Sequence, residues 1–295
     1  MLTSDHLPEQ LPWQHPAYLL LDGVSVNNLL AKTQEWFGAP NVQLLYATTP
    51  LAPCSDLSPC LITLNGLHTQ GLEHYFSHLA EEWGYLIFSQ ANSFDVICHL
   101  RALLNAQYQP QGQKVWLRVA DPAVMHVILS HATATKKPEV FGPMERVVLP
   151  DVINNTWQQH ARVGDGARSL SEQPYALCEA QQALLDGVSF RATLKVLDKH
   201  LRDKFPDANT ELPTQARWRW VSERVRRAYE AGFSSEHDIC LYANVFMLLG
   251  DDVLLHHPDI AVLITQPTDL APSLRIEKAA ELALSRSDYF ARRRP

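Results

Sequence analysis

The stretch GYLIFSQANSFDVICHLRALLNA, residues 84–106, carries the pattern that decides the fold. Its opening, YLIFS, is a short aromatic and aliphatic run, which reads as a strand. Residues 94–106 then read as a helix. The same alternation extends in both directions. Upstream, AYLLL at 17–21 is a short apolar run bounded by Pro16, as a buried strand would be. Residues 26–37 read as a helix, VQLLYAT (42–48) and CLITLN (60–65) as strands, and 71–83 as a helix. Downstream, KVWLRVA (114–120) reads as a strand, 122–131 as a short helix with Pro122 in its first turn, and VFGPMERVVLP (140–150) as extended chain. Strands alternating with helices predict an α/β lobe, with a mostly parallel or mixed sheet and flanking helices.

Residues 162–174, RVGDGARSLSEQP, are rich in Gly, Ser and charge and mark the expected boundary. Beyond them the periodicity is helical: 175–185, 190–204, 215–231, 236–249 and 275–285. The expected organisation is an α/β domain over residues 1–165 and an all-helical lobe over 170–295. The hexapeptide LLDGVS occurs at 20–25 and again at 184–189. What precedes the two copies differs, so the expectation is shared punctuation, not duplication: Gly free to take positive φ and Ser capping the next helix.

Bulk properties narrow the function classes. The chain has 295 residues, 46% hydrophobic, enough for a large core. A net charge of −7 disfavours a general nucleic-acid binder. Five cysteines without a CxxC pair or zinc spacing predict free thiols in a reducing compartment. The N-terminus has no signal-peptide pattern and no apolar run nears the roughly 18 residues of a membrane span, so the expectation is a cytoplasmic protein without membrane contact.

The search for chemistry is sparse. There is no GxGxxG, no GxxxxGK[ST] and no GxSxG. His74 and His78 share a helix face at i and i+4, with Glu81 and Glu82 following, but no third ligand completes a zinc set; no metal or other cofactor is expected. Cys98 next to His99 cannot form a working dyad, because adjacent helical residues point about 100° apart, and Cys98 is read as a buried structural thiol. Asp22 and Asp121 each follow a strand-like segment, where open α/β sheets place active sites. They make a hydrolase the alternative reading, against a turn for Asp22 and a helix cap for Asp121. In QARWRWVSERVRRAYEAG, residues 215–232, the apolar face is Trp218, Val221, Val225 and Ala228. A separate stripe holds Arg217, Trp220, Arg224 and Arg227, an aromatic among arginines, which is what partner-binding surfaces enrich for. The same stripe is where a nucleic-acid-binding module would make its contacts. The plainer reading packs Trp220 on a neighbouring helix and pairs the arginines with the chain's own acids.

Several segments in order resemble one family: AYLLLDG at the N-terminus, GYLIFSQANSFDVICHLRALLNA and KVWLRVADPAVMHVIL in the centre, VFGPM after them, and AGFSSEHDICLYANVFMLLGDDVLLHHP near the C-terminus. The family is the type VI secretion effector chaperones, or effector adaptor proteins. The matching positions are Asp22, Gly23, His99, Leu100, Arg101, Arg118, Asp121, Pro122, Phe141, Gly142 and Pro143. Val119 and Ala120 depart from the family's aromatic pair, and Ala123 replaces its last arginine. The resemblance implies a cytoplasmic, non-enzymatic protein without cofactor. It would hold a toxic secreted effector and promote its loading onto the VgrG spike.

Overall fold

The computed structural model describes residues 2–38, 42–164, 174–206, 213–266 and 269–287. The chain divides into two compact units, Met1–Val188 and Ser189–Pro295. Of the expected boundary at 162–174, residues 165–173 lie outside the described residues.

The first unit is built on a six-stranded sheet: β1 (Ala17–Leu21), β2 (Val42–Leu44), β3 (Cys60–Leu64), β4 (Gly84–Phe88), β7 (Arg146–Asp151) and β8 (Thr156–Ala161), in the order β2-β3-β1-β4-β7-β8. Every neighbouring pair is antiparallel. This corrects the expected mostly parallel or mixed sheet. The error has a physical source. Helices α1 (Leu29–Phe37) and α2 (Leu72–Ser77) lie on the side of Leu19, Leu21, Leu86 and Phe88, while α3 (Ser93–Leu104) and α4 (Pro122–Ala134) lie on the side of Leu20, Tyr85, Ile87 and Val147. With both faces covered, β1 and β4 are buried at every position and read as continuous apolar runs, which normally mark parallel strands. Strand direction leaves no trace in such a run.

A small second sheet, in the order β6-β5-β9, joins β5 (Asn105–Tyr108), β6 (Gln113–Trp116) and β9 (Tyr175–Leu177). The β5·β6 pair is antiparallel and the β5·β9 pair parallel. Strands β5, β8 and β9 were not expected: β5 and β8 are largely polar, and β9 has only three residues.

Helix α5 (Glu179–Lys204) is continuous across the division between units. It therefore contains the whole second LLDGVS. Gly187 is not among the positive-φ glycines, and Ser189 caps nothing. In the first copy Gly23 also avoids positive φ, and α1 starts later than expected, after Asn28. Gly23 is there for room: a Cβ would lie 2.6 Å from the Leu57 and Ser58 carbonyl oxygens. The expectation of shared punctuation is thus corrected at both copies.

The second unit, described by itself, takes the C-terminal part of α5 and adds α6 (Thr214–Glu230), α7 (Glu236–Leu249), the single turn α8 (Val253–His256), α9 (Pro258–Thr265) and α10 (Pro272–Arg286). Ser235 accepts from the Asp238 N–H as the cap of α7, and a proline opens both α9 and α10.

Candidate functional site

The motif residues gather into two clusters within the first unit. The first forms where β1 ends. The Asp22 N–H donates to the Trp83 carbonyl at 2.7 Å, which fixes the turn. Its carboxylate, 4% exposed as a residue, accepts from the Ser25 hydroxyl at 2.8 Å, the Val24 N–H at 3.3 Å and the Arg118 guanidinium at 2.6 Å. Arg118 also stands 3.7 Å from Asp121. Asp121 accepts from the Ala123 and Val124 N–H groups at 2.9 and 3.4 Å, capping α4 as its sequence predicted. Burial works against the Arg118 charge, but Asp22 and Asp121 outweigh it and hold its pKa above the usual value. Tyr46 lies beside this cluster, its hydroxyl pKa raised by burial and then by Asp22. The sequence pointed to neither Tyr46 nor Ser25 as members. Arg118 and Val119 sit just past β6, not inside a strand, and the Val119 carbonyl accepts from the buried Tyr85 hydroxyl.

The second cluster is centred on His99. Its ring is 3% exposed, and Nε2 donates to the Val140 carbonyl at 2.9 Å. Burial pushes its pKa down to about 4, so the ring is neutral at physiological pH. Gly142 has φ +51 and lies against the ring so closely that a Cβ would sit 2.2 Å from Nδ1. Phe141 is buried, the Pro143 carbonyl accepts from Ser89, and the Gly142 carbonyl accepts from Arg162. Arg101 donates to the Leu44 and Leu45 carbonyls at 3.0 and 2.9 Å, and Leu100 is core. Pro122 opens α4. Cys98, by contrast, is exposed, which corrects the reading of a buried thiol.

The two carboxylates of the hydrolase reading are thus drawn to one guanidinium, and their remaining oxygens hold turn and helix N–H groups. His74 and His78 flank a stacked pair of indoles: His74 on Trp36 at 5.1 Å, Trp36 on Trp83 at 5.7 Å, and His78 on Trp83 at 4.1 Å between ring centres. Among the described residues no group of three or more His, Cys, Asp or Glu is placed to hold a metal ion. A pair the sequence gave no reason to join is His126 and His160, 3.0 Å apart between Nδ1 and Nε2. Burial, and then His126, lowers the His160 pKa to about 4.

In the second unit, α6 buries Trp218, Val221, Val225 and Ala228 as its periodicity predicts, together with Arg224. The stripe of Arg217, Trp220, Arg224 and Arg227 is mixed in character. Arg217 pairs at 2.8 Å with the buried Asp198, whose carboxyl is raised by burial despite Arg217 and Arg202. Arg224 pairs with Asp251, and its guanidinium stacks 4.0 Å from the Phe246 ring centre and 4.9 Å from that of Trp220. Trp220 is half-buried, and Arg227 is exposed and pairs with Glu223 at 2.6 Å.

Comparison with known proteins fits this placement. Residues 17–139 match the family model described as domain of unknown function DUF4123. Accessory protein VasW of Vibrio cholerae serotype O1 is 29% identical over 289 residues, covering 95% of this chain and 92% of VasW. The two matches together support the resemblance to the type VI secretion effector adaptors. Eight of the motif positions, from Asp22 to Pro122, lie inside the matched domain, and Phe141, Gly142 and Pro143 follow just beyond it. The similarity to VasW extends through the helical unit, outside the matched domain. No solved structure matches. Among the described residues no helix is long and apolar enough to cross a membrane.

Proposed function

We propose that this chain is an adaptor that holds one secreted toxic effector and promotes its loading onto the VgrG spike. The observation that carries the reading is the state of the motif residues. Asp22 and Asp121 share Arg118 and hold turn and helix N–H groups, and neutral His99 is locked between the Val140 carbonyl and Gly142. Such residues shape a scaffold. A hydrolase needs a carboxylate free to take a proton or attack, and here both candidates already serve N–H groups and Arg118. The VasW likeness across both units supports the same reading. As an adaptor in the cytoplasm, the chain would need no cofactor, nucleic acid or membrane.

Within this reading, Arg227 and the open edge of Trp220 are the parts of the α6 stripe available to a partner. Arg217 and Arg224 would act through the shape they give that face. The test is co-expression with the products of the neighbouring effector and spike genes, followed by purification on a tag carried by this chain. A stable complex with the effector, and more spike-bound effector when the adaptor is present, is the expected result. Free effector and unchanged spike loading would overturn the reading.

A further inference from the structure

The helical unit carries an apolar groove of about 470 Å³ that no part of the described unit fills. Its floor is one face of α7: His237, Leu241, Asn244 and Leu248, at spacings of four, three and four residues. These positions repeat on one side of a helix for three turns, roughly 16 Å. Phe205, just past α5, closes one side, and Ala280 and Leu284 of α10 form the other. Leu284 is 52% exposed, large for an apolar side chain on this wall. The His200 ring and the Asn244 amide, 2.8 Å apart, tie α5 to α7 beneath the groove.

The two rims differ in charge. Lys204 stands on the α5 rim, and Glu277 and Glu281, one turn apart, stand on the α10 rim. Leu241 and Leu248, two helical turns apart on the floor, between rims of opposite sign, have a definite complement. We infer that this groove receives an amphipathic helix of the cargo protein. Its apolar stripe lies on Leu241, Leu248 and Leu284. It presents acidic residues to Lys204 and basic residues to Glu277 and Glu281. Helix-in-groove recognition works this way: apolar anchors at i, i+3, i+4 and i+7 supply affinity, and flanking charges set fit and orientation. A uniformly basic or acidic helix would meet one repelling rim. Ala280 leaves room for the backbone of the incoming helix to approach α10. This inference rests on the adaptor reading and assigns the cargo to the helical unit.

The test uses the full chain co-expressed with its neighbouring effector, in wild-type form and as Leu284→Glu, Leu241→Glu and Glu277→Lys/Glu281→Lys. Leu284 and both glutamates are exposed, so those variants keep the fold, which thermal unfolding checks; Leu284→Glu covers the case in which Leu241→Glu fails to fold. Effector retention at least tenfold lower in Leu284→Glu, with an unchanged melting temperature, is expected. A synthetic 18-residue helix with a leucine stripe, a glutamate flank and a lysine flank should compete with the effector for wild-type protein. The same stripe with glutamate on both flanks should compete better for the Glu277→Lys/Glu281→Lys variant. Wild-type retention of effector by all variants equally would overturn the groove and leave the adaptor reading standing. No retention by wild type would overturn both. A wild-type dimer that Leu284→Glu dissociates, with effector retention unchanged, would assign the groove to a second copy and refute the inference.

Discussion

Gly142→Ala tests whether the His99 cluster is held by close packing. The new methyl group would lie 2.2 Å from Nδ1, 2.3 Å from Cε1 and 2.5 Å from Cγ of His99, well inside van der Waals contact. The ring cannot simply slide away, because Nε2 is fixed to the Val140 carbonyl at 2.9 Å. Three costs follow. Holding alanine at φ +51 costs about 1–2 kcal/mol. Overpacking adds about 1–3 kcal/mol. Weakening the His99 bond adds about 1 kcal/mol. The expected loss is about 4 kcal/mol. His99→Ala alone should cost about 2–3 kcal/mol through a cavity and the lost bond. With the ring gone, Gly142→Ala retains only its backbone cost, about 1–2 kcal/mol. The double variant is therefore about 2–3 kcal/mol more stable than additivity predicts, a coupling of the size expected for residues in contact. Urea unfolding followed by tryptophan fluorescence reads this well, since Trp13, Trp36, Trp83, Trp116 and Trp157 belong to the first unit. Additivity within about 0.5 kcal/mol would refute the packing argument.

Three further outcomes follow from the same geometry. Asp121→Ala should cost about 1 kcal/mol and Asp121→Asn far less, because asparagine also caps; equal losses of effector binding in both, with unchanged melting temperature, would point instead to recognition by charge. His99 and His160 have folded pKa values near 4, below the ordinary 6.5, so the unfolded chain binds more protons between those values. Stability should fall as pH drops through that window, by on the order of 3 kcal/mol from His99 alone, and His160→Gln should flatten the urea midpoint-against-pH curve. Arg224→Ala should cost about 2 kcal/mol through lost stacking on Phe246 and Trp220, while Arg227→Ala changes stability by less than about 0.5 kcal/mol. Any loss of partner affinity in Arg227→Ala at constant melting temperature is then direct.

Much of the helical content was legible because its signals are local. Trp218, Val221, Val225 and Ala228 repeat at helical spacing, and Asp121 before Pro122 announces a cap. Strands β1 and β4 were equally plain as apolar runs. What the sequence did not carry was how strands meet. Leu19 and Leu20 point to opposite, equally buried faces, so nothing in YLLL distinguishes an antiparallel neighbour from a parallel one. The polar strand β8 was missed because only Trp157 in it is buried, and an edge strand needs few apolar residues. In the motif clusters, Asp22 and Arg118 lie 96 positions apart, and only the fold shows that one neutralises the other. The same limit hid Tyr46 and the His126–His160 pair. Arg224 shows the converse: the wheel placed it on a polar stripe, yet Phe246 offers its guanidinium a buried aromatic face.

The strand order also sets a timetable for synthesis. β1 is made first but occupies the interior of the sheet, between β3 and β4. Its partners emerge only after Cys60 and Gly84. At about 5–20 residues per second, the ribosome takes roughly 3–13 s to travel from Leu21 to Phe88. Until Leu64 is made both edges of this apolar strand are unpaired, and from then until Phe88 the edge that β4 takes stays open, a template for pairing with other chains. Translation speed over residues 22–88 is therefore a determinant of yield, and brief occupancy of β1 by a ribosome-associated holdase would protect it until β4 arrives.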